Sequence, residues 1–302
     1  MRILALVFFV TLTSAPGINA QIRTMREATY ALRGPVRTVR TEAATFVLKD
    51  GHYVEGPRVL QMTADFNTDG NRTDLKIYDD KGVLVRQIEM KFKGRRLIEF
   101  LNYDGHGNMW LRGTTFYDEE GRPTGNATYG GDGSLRSKRV LTRDKEGRVI
   151  ESAEYNAQGT LLDKIRSTFD GADPKTSHRS IYRPDGSVQS TEAQDIAKKS
   201  VDTVTYNSDG SVASKSIRVD QEIAEYAKDG SLRKTTTISS QGRLLDEVTL
   251  DEGRSKRETQ VPDLIDSHGN WIKQTKWLTD SNGTRPIKVT YRTLTYYEKF
   301  AF

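Results

Sequence analysis

One stretch of this chain places oxygen-bearing side chains at the spacing of calcium ligands. Asp65, Asn67 and Asp69 alternate ahead of Gly70, which matches the first half of a calcium-binding loop. Such a loop is closed by a bidentate carboxylate, and the residue at that position here is Lys76. The stretch therefore predicts a partial calcium site at Asp65, Asn67 and Asp69 or a plain Asp-Gly turn, and the missing acid favours the turn.

Two of the four histidines are the next candidates for metal binding or acid–base chemistry. His106 and His268 each follow an Asp by two residues, directly precede a Gly and are followed by a Trp. A metal site or a catalytic role would require the two side chains to converge in space, whereas a turn residue beside a Gly requires no convergence. We therefore favour the turn interpretation for both.

Adjacent acids such as Glu119-Glu120 and Asp251-Glu252 raise the question of glycoside hydrolysis. That reaction needs two carboxylates at a fixed separation in a cleft, one of them desolvated, but these acids fall on expected turn tips, where water solvates them. The sequence also contains no HExxH, G-x-S-x-G, P-loop or complete G-x-G-x-x-G motif. A non-catalytic protein is therefore the preferred interpretation, and a glycan-active hydrolase is the alternative.

Several of these residues, among them Asp69, His106 and Glu119, belong to a repeating unit in which a Tyr or Phe is followed four residues later by Gly. Strand-length segments of about eight residues alternate with turns of about four. The x-x-Asp-Gly turns are typical of a type I turn closed by a Gly in the left-handed conformation, and we expect a side chain in place of the Gly to clash. The pairs are Phe66 with Gly70, Tyr78 with Gly82, Tyr103 with Gly107, Tyr117 with Gly121, Tyr129 with Gly133, Tyr155 with Gly159, Tyr182 with Gly186, Tyr206 with Gly210 and Tyr226 with Gly230.

The spacing of the glycines predicts the fold class. From Gly70 to Gly159 they recur every 12 to 14 residues, which leaves room for one strand and one turn, so consecutive strands must be antiparallel. The sequence thus predicts an all-β, antiparallel β-meander with on the order of sixteen to eighteen strands, elongated, curled or spiral. Whether the sheet stays open, spirals or closes is left undecided. The aromatic residues either build the covered face of this sheet or form a stripe that binds carbohydrate or peptide.

The N-terminus has the pattern of a secretory signal. Met1 and Arg2 precede an apolar run over residues 3–10, and Ala20 offers a small residue before Gln21. We therefore predict a signal peptide over 1–20, with a retained N-terminal anchor as the alternative, and an exported protein with no transmembrane helix once the signal is removed. An N-terminal segment (21–60) and a β-repeat domain (61–302) follow, with an irregular break over 171–200, where the spacing loosens.

Composition excludes several classes of function. The chain of 302 residues contains no Cys, which excludes disulfides and thiolate metal sites. Loss of residues 1–20 removes Arg2, one of the 46 basic residues, and leaves 45 against 41 acidic ones, a net charge of +4. This balance is too even to indicate nucleic-acid binding. No cofactor is expected, apart from calcium at the partial loop.

The repeat motif resembles the bacterial Rhs/YD repeat. The resemblance is carried by Tyr117-Asp118-Glu119-Glu120-Gly121-Arg122 and by the Tyr-x-x-Asp-Gly-Ser copies. Residues 32–39, 266–271 and 291–297 also look like the opening and closing segments of secreted Rhs-like proteins of uncharacterised function. The resemblance spans roughly 30–300 and implies a β-rich repeat scaffold, with no catalytic residues to carry over.

Together, these observations lead us to expect an exported, non-catalytic scaffold that acts as a binding or structural module at the periplasmic or extracellular side of the bacterial cell envelope. Its partner would be an envelope polysaccharide or protein. An outer-membrane β-barrel is a further alternative, since the C-terminal residues partly alternate and end in Phe302. Such a barrel requires apolar alternation in every strand, and segments such as 231–238 lack it.

Overall fold

The structure, a computed structural model, describes residues 32–171, 175–239, 244–251 and 254–298. The predicted signal peptide (1–20), residues 21–31 of the N-terminal segment and the acid Glu252 lie outside the described residues. None of the described residues forms a helix long and apolar enough to cross a bilayer.

The described chain is built from strands of 4 to 14 residues joined by short turns. They are β1 (Val36–Lys49), β2 (His52–Glu55), β3 (Val59–Phe66), β4 (Arg72–Tyr78), β5 (Leu84–Lys93), β6 (Arg96–Asp104), β7 (Met109–Tyr117), β8 (Pro123–Gly130), β9 (Leu135–Arg143), β10 (Val149–Asn156), β11 (Leu161–Phe169), β12 (Thr176–Tyr182), β13 (Val188–Asp195), β14 (Ser200–Tyr206), β15 (Val212–Val219), β16 (Glu222–Ala227), β17 (Leu232–Ile238), β18 (Leu244–Asp251), β19 (Arg254–Ile265), β20 (Trp271–Asp280) and β21 (Gly283–Tyr296).

The strands form an antiparallel meander that closes on itself. From β3 to β21 each strand pairs with the next, and β1 pairs with β3 on one side and with β21 on the other. Twenty strands therefore make a closed barrel, while the short β2 pairs only with the end of β1, from Phe46 to Lys49. The predicted all-β antiparallel meander is confirmed, and the sheet, whose closure the sequence left undecided, is closed.

The hairpin turn after β6 shows the chemistry of the repeat. The Asp104 carboxylate accepts the N–H groups of His106 and Asn108, both at 2.9 Å. Gly107 follows with a φ of 84°, a region that a side chain disfavours, and its N–H donates to the Asp104 carbonyl. A one-residue register shift, a β-bulge, accompanies the turn between Asn102 and Tyr103.

Crowding by residues beyond the turn does not account for most of the repeat glycines. A Cβ added at six of the eight glycines paired with tyrosine would meet nothing within 4 Å: Gly107, Gly133, Gly159, Gly186, Gly210 and Gly230. At Gly82 it would make an ordinary contact of 3.5 Å with Val59, and only at Gly121, beside the Arg96 guanidinium, would it clash. All eight have φ between 78° and 85°. At most of these turns a side chain would therefore meet no more distant part of the chain, and the strain of a side chain on the left-handed backbone itself selects glycine.

The described residues contain more strands than the expected sixteen to eighteen. The reason is that residues 36–66, most of which belong to the predicted N-terminal segment, supply β1, β2 and β3. The ladder also continues through β12, β13 and β14, the region where the spacing loosens. Here Asp195 and Lys198 form the turn in place of an Asp-Gly pair, and Lys199 has a φ of 51°. Regular pairing therefore persists where the sequence motif is lost.

The apolar core is small and lies where the ring closes. It contains Leu32 together with residues from β1, β3 and β4, and Met62, Ile77, Ile88, Leu294 and Tyr296 pack around it. A single closed sheet has no second layer to cover most of its strands, so burial concentrates where Leu32 packs with residues of β1. The buried members are Leu32, Val36, Val39, Ala64, Phe66 and Leu75.

Candidate functional site

The repeat places seven tyrosines at one rim of the barrel, on one face of the sheet. Even-numbered strands of the meander all run in the same direction, so residues at their C-terminal ends reach the same rim. The register pairs and the alternation of side chains then put all seven on the same face. All are half-buried. We call this set the tyrosine arc: Tyr78, Tyr103, Tyr129, Tyr155, Tyr182, Tyr206 and Tyr226.

The glycines paired with the arc form the turn tips directly beyond it. Each donates its N–H to the carbonyl of the residue three positions earlier, at 3.0 or 3.1 Å, which closes the turn. Each turn therefore ends its strand shortly after the tyrosine and holds that tyrosine at the rim. These glycines are Gly82, Gly107, Gly133, Gly159, Gly186, Gly210 and Gly230.

The eighth repeat tyrosine, Tyr117, lies at the opposite rim because it ends the odd-numbered strand β7. Its hydroxyl donates to the Leu97 carbonyl at 2.9 Å, and burial raises its pKa. The same sequence motif therefore occurs in two environments, the arc and a structural position at the other rim.

Cross-strand neighbours of the arc follow a recurring order of Tyr, cation and small or aliphatic residue. Tyr155 lies directly opposite Lys138, which lies opposite Ala127 on its other side. Directly opposite residues share a face, with Cβ atoms about 5 Å apart. Four such triplets occur: Tyr129–Arg112–Leu101, Tyr155–Lys138–Ala127, Tyr182–Lys164–Ala153 and Tyr226–Lys215–Val204.

The cations of these triplets differ in their partners. The Arg112 guanidinium lies 5.9 Å from the centre of the Tyr129 ring and donates to Glu99 at 2.6 Å. The Lys164 ammonium lies 5.5 Å from the centre of the Tyr182 ring. Within the described part of the chain, Lys138, Lys164 and Lys215 have no carboxylate at ion-pair distance. Three lysines opposite tyrosines of the arc therefore have no ion-pair partner among the described residues.

Further along the same strands, the face of the arc carries acids. Glu151, Asp202 and Glu222 each lie four residues before an arc tyrosine, on the same side of the strand. A small or aliphatic residue lies between, as Ala153 does between Glu151 and Tyr155. The face thus has an aromatic and basic band at the rim and an acidic row about 14 Å below it, at about 3.4 Å per residue.

A shallow groove adjoins the arc on the same face. It consists of two adjoining depressions of about 330 Å³ each over β12 to β15, which share His178, Ala193 and Asp202. The first depression is also lined by Lys215 of the fourth triplet. Because Lys215 lies directly opposite Tyr226, this depression adjoins the arc.

At the opposite rim, residues from both ends of the described chain form a clasp, which we define as Arg33, Asp266, His268, Asn270 and Tyr296. Asn270 is 2% exposed, accepts the Arg33 N–H at 2.6 Å and donates to the Arg33 carbonyl and to the Tyr296 hydroxyl, both at 2.9 Å. The Tyr296 hydroxyl donates to Asp266, and its ring stacks on His268 with the ring centres 4.1 Å apart.

Electrostatics within the clasp favour a charged Asp266 beside a neutral Tyr296. Burial and the hydrogen bond to Asp266 raise the pKa of Tyr296 to about 12. Burial also acts to raise the pKa of Asp266, but the Tyr296 hydroxyl and the N–H groups of Asn270 and His268 outweigh it and lower that pKa. His268 thus serves the clasp as a stacked ring beside Gly34, where a Cβ would come within 2.7 Å of it.

The structure does not bring the two candidate histidines together. His106 is exposed in the turn after β6, at the rim of the arc, whereas His268 belongs to the clasp at the other rim. In the ranges that the structure describes, no group of three or more His, Cys, Asp or Glu side chains is placed to hold a metal.

The three residues of the predicted calcium loop lie at the turn after β3. Asn67 Oδ1 accepts the Asn71 N–H at 2.9 Å, and Asp65 lies opposite Asp74 in the ladder. Burial and the Asp74 carboxylate raise the pKa of Asp65. Calcium binding by Asp65, Asn67 and Asp69 stays a prediction.

The lysines of the arc were not found from sequence. Tyr155 and Lys138 are 17 residues apart, whereas Tyr226 and Lys215 are 11 apart, so no fixed spacing links them. The pairing depends on strand length and on bulges, which set the register. The signal that would have found them is a basic residue on the strand preceding each tyrosine, at the position that the hairpin places opposite.

Comparisons with known proteins give weak likenesses to solved structures. No family model matches the chain, and no curated protein matches it. A porin-like protein from Bacteroides uniformis is 10% identical with a TM-score of 0.34, over 87% of this chain and 98% of that one. TcdB2-TccC3 is 12% identical with a TM-score of 0.25, over 87% of this chain but 18% of that one.

The Photorhabdus luminescens Tc holotoxin pore is 10% identical with a TM-score of 0.20, over 79% of this chain and 18% of that one. This chain therefore spans about a fifth of the length of the two toxin chains. At TM-scores below 0.5 these likenesses support no inference about activity, and the YD-repeat resemblance stays a prediction.

Proposed function

We propose that this protein is an exported, non-catalytic binding module of the bacterial cell envelope, and that the tyrosine arc binds an envelope polysaccharide. The signal-like N-terminus supports export. The observation that carries the proposal is the arc itself: seven half-buried tyrosines at one rim, on one face, at a regular spacing of two strands. Tyrosine offers an apolar ring face and a polar hydroxyl, which suits the mixed surface of a sugar ring.

The regular spacing favours a repeating polymer as the ligand. Neighbouring strands lie about 4.8 Å apart, so successive tyrosines of the arc are about 9.6 Å apart. A compact protein partner has no such repeat, whereas a linear polysaccharide does. A broad, half-exposed face with a shallow groove also suits an extended ligand better than a small molecule, which is normally enclosed in a deeper pocket.

The groove beside the arc gives a hydrolase little support. His178 and Asp202 both line it, but in the register Ala193 lies between them, so they are two strands apart. A general acid requires a carboxyl group with a raised pKa, whereas the backbone and side chain of Lys198 lower the pKa of Asp195 at the end of the groove. Binding without chemistry is therefore the better interpretation.

A membrane-spanning barrel is the second candidate, because the sheet is closed and an aromatic arc lies at one rim. Its requirement is an apolar band about 25 Å tall on the lipid face. On the face of the arc, Glu151 and Asp202 lie about 14 Å from the tyrosines, within the height of such a band, and Arg166 lies directly opposite Glu151. The other face carries Arg139, Glu154 and Asp163. Charges on both faces therefore favour an aqueous environment.

The test is retention of the purified protein on insoluble cell-envelope polysaccharide. A triple variant, Tyr155→Ala, Tyr182→Ala and Tyr226→Ala, is expected to lose most of the retention. Tyr117→Ala is the matched control, because it removes a repeat tyrosine from the opposite rim. Circular dichroism and thermal melting of each variant establish that the fold persists. Equal retention of the triple variant and the control would contradict the proposal, as would partition of the wild type into detergent-free lipid vesicles.

A further inference from the structure

We infer that the polysaccharide bound by the tyrosine arc is anionic, with a carboxylate or phosphate group recurring along the chain, and that Lys138, Lys164 and Lys215 contact those groups. This inference rests on the proposed function. It starts from the three lysines, which lie directly opposite Tyr155, Tyr182 and Tyr226. Each triplet thus presents one ring face and one positive charge, side by side and in the same order.

The lysines are available to a ligand. Lys138 and Lys215 are exposed and Lys164 is half-buried, and no carboxylate of the described residues neutralises them. Other lysines on this face have partners, as Lys91 has in Glu99 at 2.7 Å and Lys273 has in Glu55 at 3.3 Å. Arg112 of the first triplet is likewise held by Glu99. The unneutralised charges therefore coincide with the central and later triplets of the arc.

The spacing of the triplets suits a ligand that contacts aromatic rings and lysines along its length. The second and third triplets are two strands apart, about 9.6 Å, which is comparable to two sugar rings linked in an extended chain. The fourth follows four strands further on, and Tyr206 lies in the gap, with its hydroxyl 3.4 Å from the Thr191 hydroxyl. A chain lying along the arc would therefore meet an aromatic ring at each two-strand step, and a lysine beside the ring at Tyr155, Tyr182 and Tyr226.

The turn aspartates at the same rim make their hydrogen bonds within their own turns and, among the described residues, form no ion pairs with the three lysines. Asp185, Asp209 and Asp229 each accept the N–H of the residue two positions on in their own turns, at 2.8 to 2.9 Å. Their pKa values are lowered by a serine hydroxyl and by backbone N–H groups, so they remain charged. They restrict an anionic ligand to the band of lysines and tyrosines below the turn tips.

The test compares polygalacturonate with its fully methyl-esterified form, which has the same sugar backbone without the charge. We expect the purified protein to bind polygalacturonate at least about tenfold more tightly than the ester at low salt, and to lose this preference as salt screens the lysines. Replacing all three lysines (Lys138→Gln, Lys164→Gln and Lys215→Gln) should abolish the preference. Lys145→Gln, an exposed lysine at the opposite rim, is the control.

Polyglutamate, a charged polymer without sugar rings, separates charge from stacking and should bind at least about tenfold more weakly than polygalacturonate. Equal binding of polygalacturonate and its ester, no binding of polygalacturonate, or no effect of the triple lysine variant would overturn the inference. Equal binding of polyglutamate would overturn it as well. None of these outcomes would contradict the proposed function if tyrosine-dependent retention on envelope polysaccharide persists. Failure of the inference about charge is therefore distinguishable from failure of the proposed binding function.

Discussion

Replacing Asn270 by Ala tests whether the clasp holds the barrel closed. The side chain of Asn270 makes three hydrogen bonds, two with the Arg33 backbone and one with the Tyr296 hydroxyl, and it is almost completely buried. A net hydrogen bond contributes about 1 kcal/mol, so the three together contribute about 3 kcal/mol. Water has little access to the Arg33 groups left behind, which adds to the loss. We expect Asn270→Ala to lower the free energy of unfolding by about 3 kcal/mol.

The chain supplies a matched control in Asn108, which occupies the same position of the other Asp-x-His-Gly-Asn turn. Asn108 is exposed, and its side chain donates to the Asp104 carboxylate, at 3.0 Å. Surface substitutions of this kind usually change stability by no more than about 0.5 kcal/mol. Urea unfolding followed by circular dichroism measures both variants under one set of conditions.

A difference between the two variants of less than about 1 kcal/mol would refute the role assigned to the clasp. Limited proteolysis adds an independent measurement, because opening the β1–β21 seam exposes strand edges at residues 36–45 and 288–296. If Asn270→Ala proves too unstable to purify, Tyr296→Phe removes only the hydroxyl and should cost about 1 to 2 kcal/mol. An unchanged Tyr296→Phe protein would refute the same reasoning.

Three further predictions concern pH, turns and strand number. The pKa of Tyr296 is raised from 10.0 to about 12, so its contribution to stability is complete below pH 10 and is lost as the pH rises towards 12. The loss should be about 1–2 kcal/mol, once solvent screening of a partly exposed pair is allowed for. Unfolding free energies at pH 9 and pH 11.5 should show this loss for the wild type but not for Tyr296→Phe. Gly105→Ala should destabilise the protein more than Gly107→Ala, because a Cβ at Gly105 would lie 2.1 Å from the Leu84 carbonyl oxygen. A Cβ at Gly107 would meet nothing within 4 Å, so Gly107→Ala should cost only the strain of its positive φ, about 1–2 kcal/mol. Similar melting temperatures of the two variants would contradict this prediction. Deleting residues 207–226 removes a unit of two strands, β15 and β16, and should leave a folded barrel. Deleting residues 208–220 removes one strand, β15, with the turn before it, and should abolish cooperative unfolding.

Local features of the fold were predictable from the sequence because each is decided by a few adjacent residues. The Asp-Gly turns follow from the left-handed conformation that Gly tolerates, and the antiparallel order follows from turns too short for a crossover. The clasp was not predictable, since Arg33 and Asn270 are separated by 237 residues, and the motifs around them give no indication that the two residues pair. The lysines of the arc were missed for a related reason: register, and not spacing, puts them beside the tyrosines.

Closure itself depends on a number that no single repeat encodes. In an antiparallel ring each strand reverses the direction of the last, so β1 can pair with β21 as observed only if the ring holds an even number of strands, which is twenty here. The same parity decides the rim that each tyrosine reaches: Tyr117 ends an odd-numbered strand and lies in a structural environment, while Tyr129, one strand later, lies in the arc. The motif determines the turn, and the count of strands before it determines whether its tyrosine is available to a ligand. A change of one strand would therefore move every later tyrosine to the other rim, which ties the integrity of the arc to the closure of the barrel.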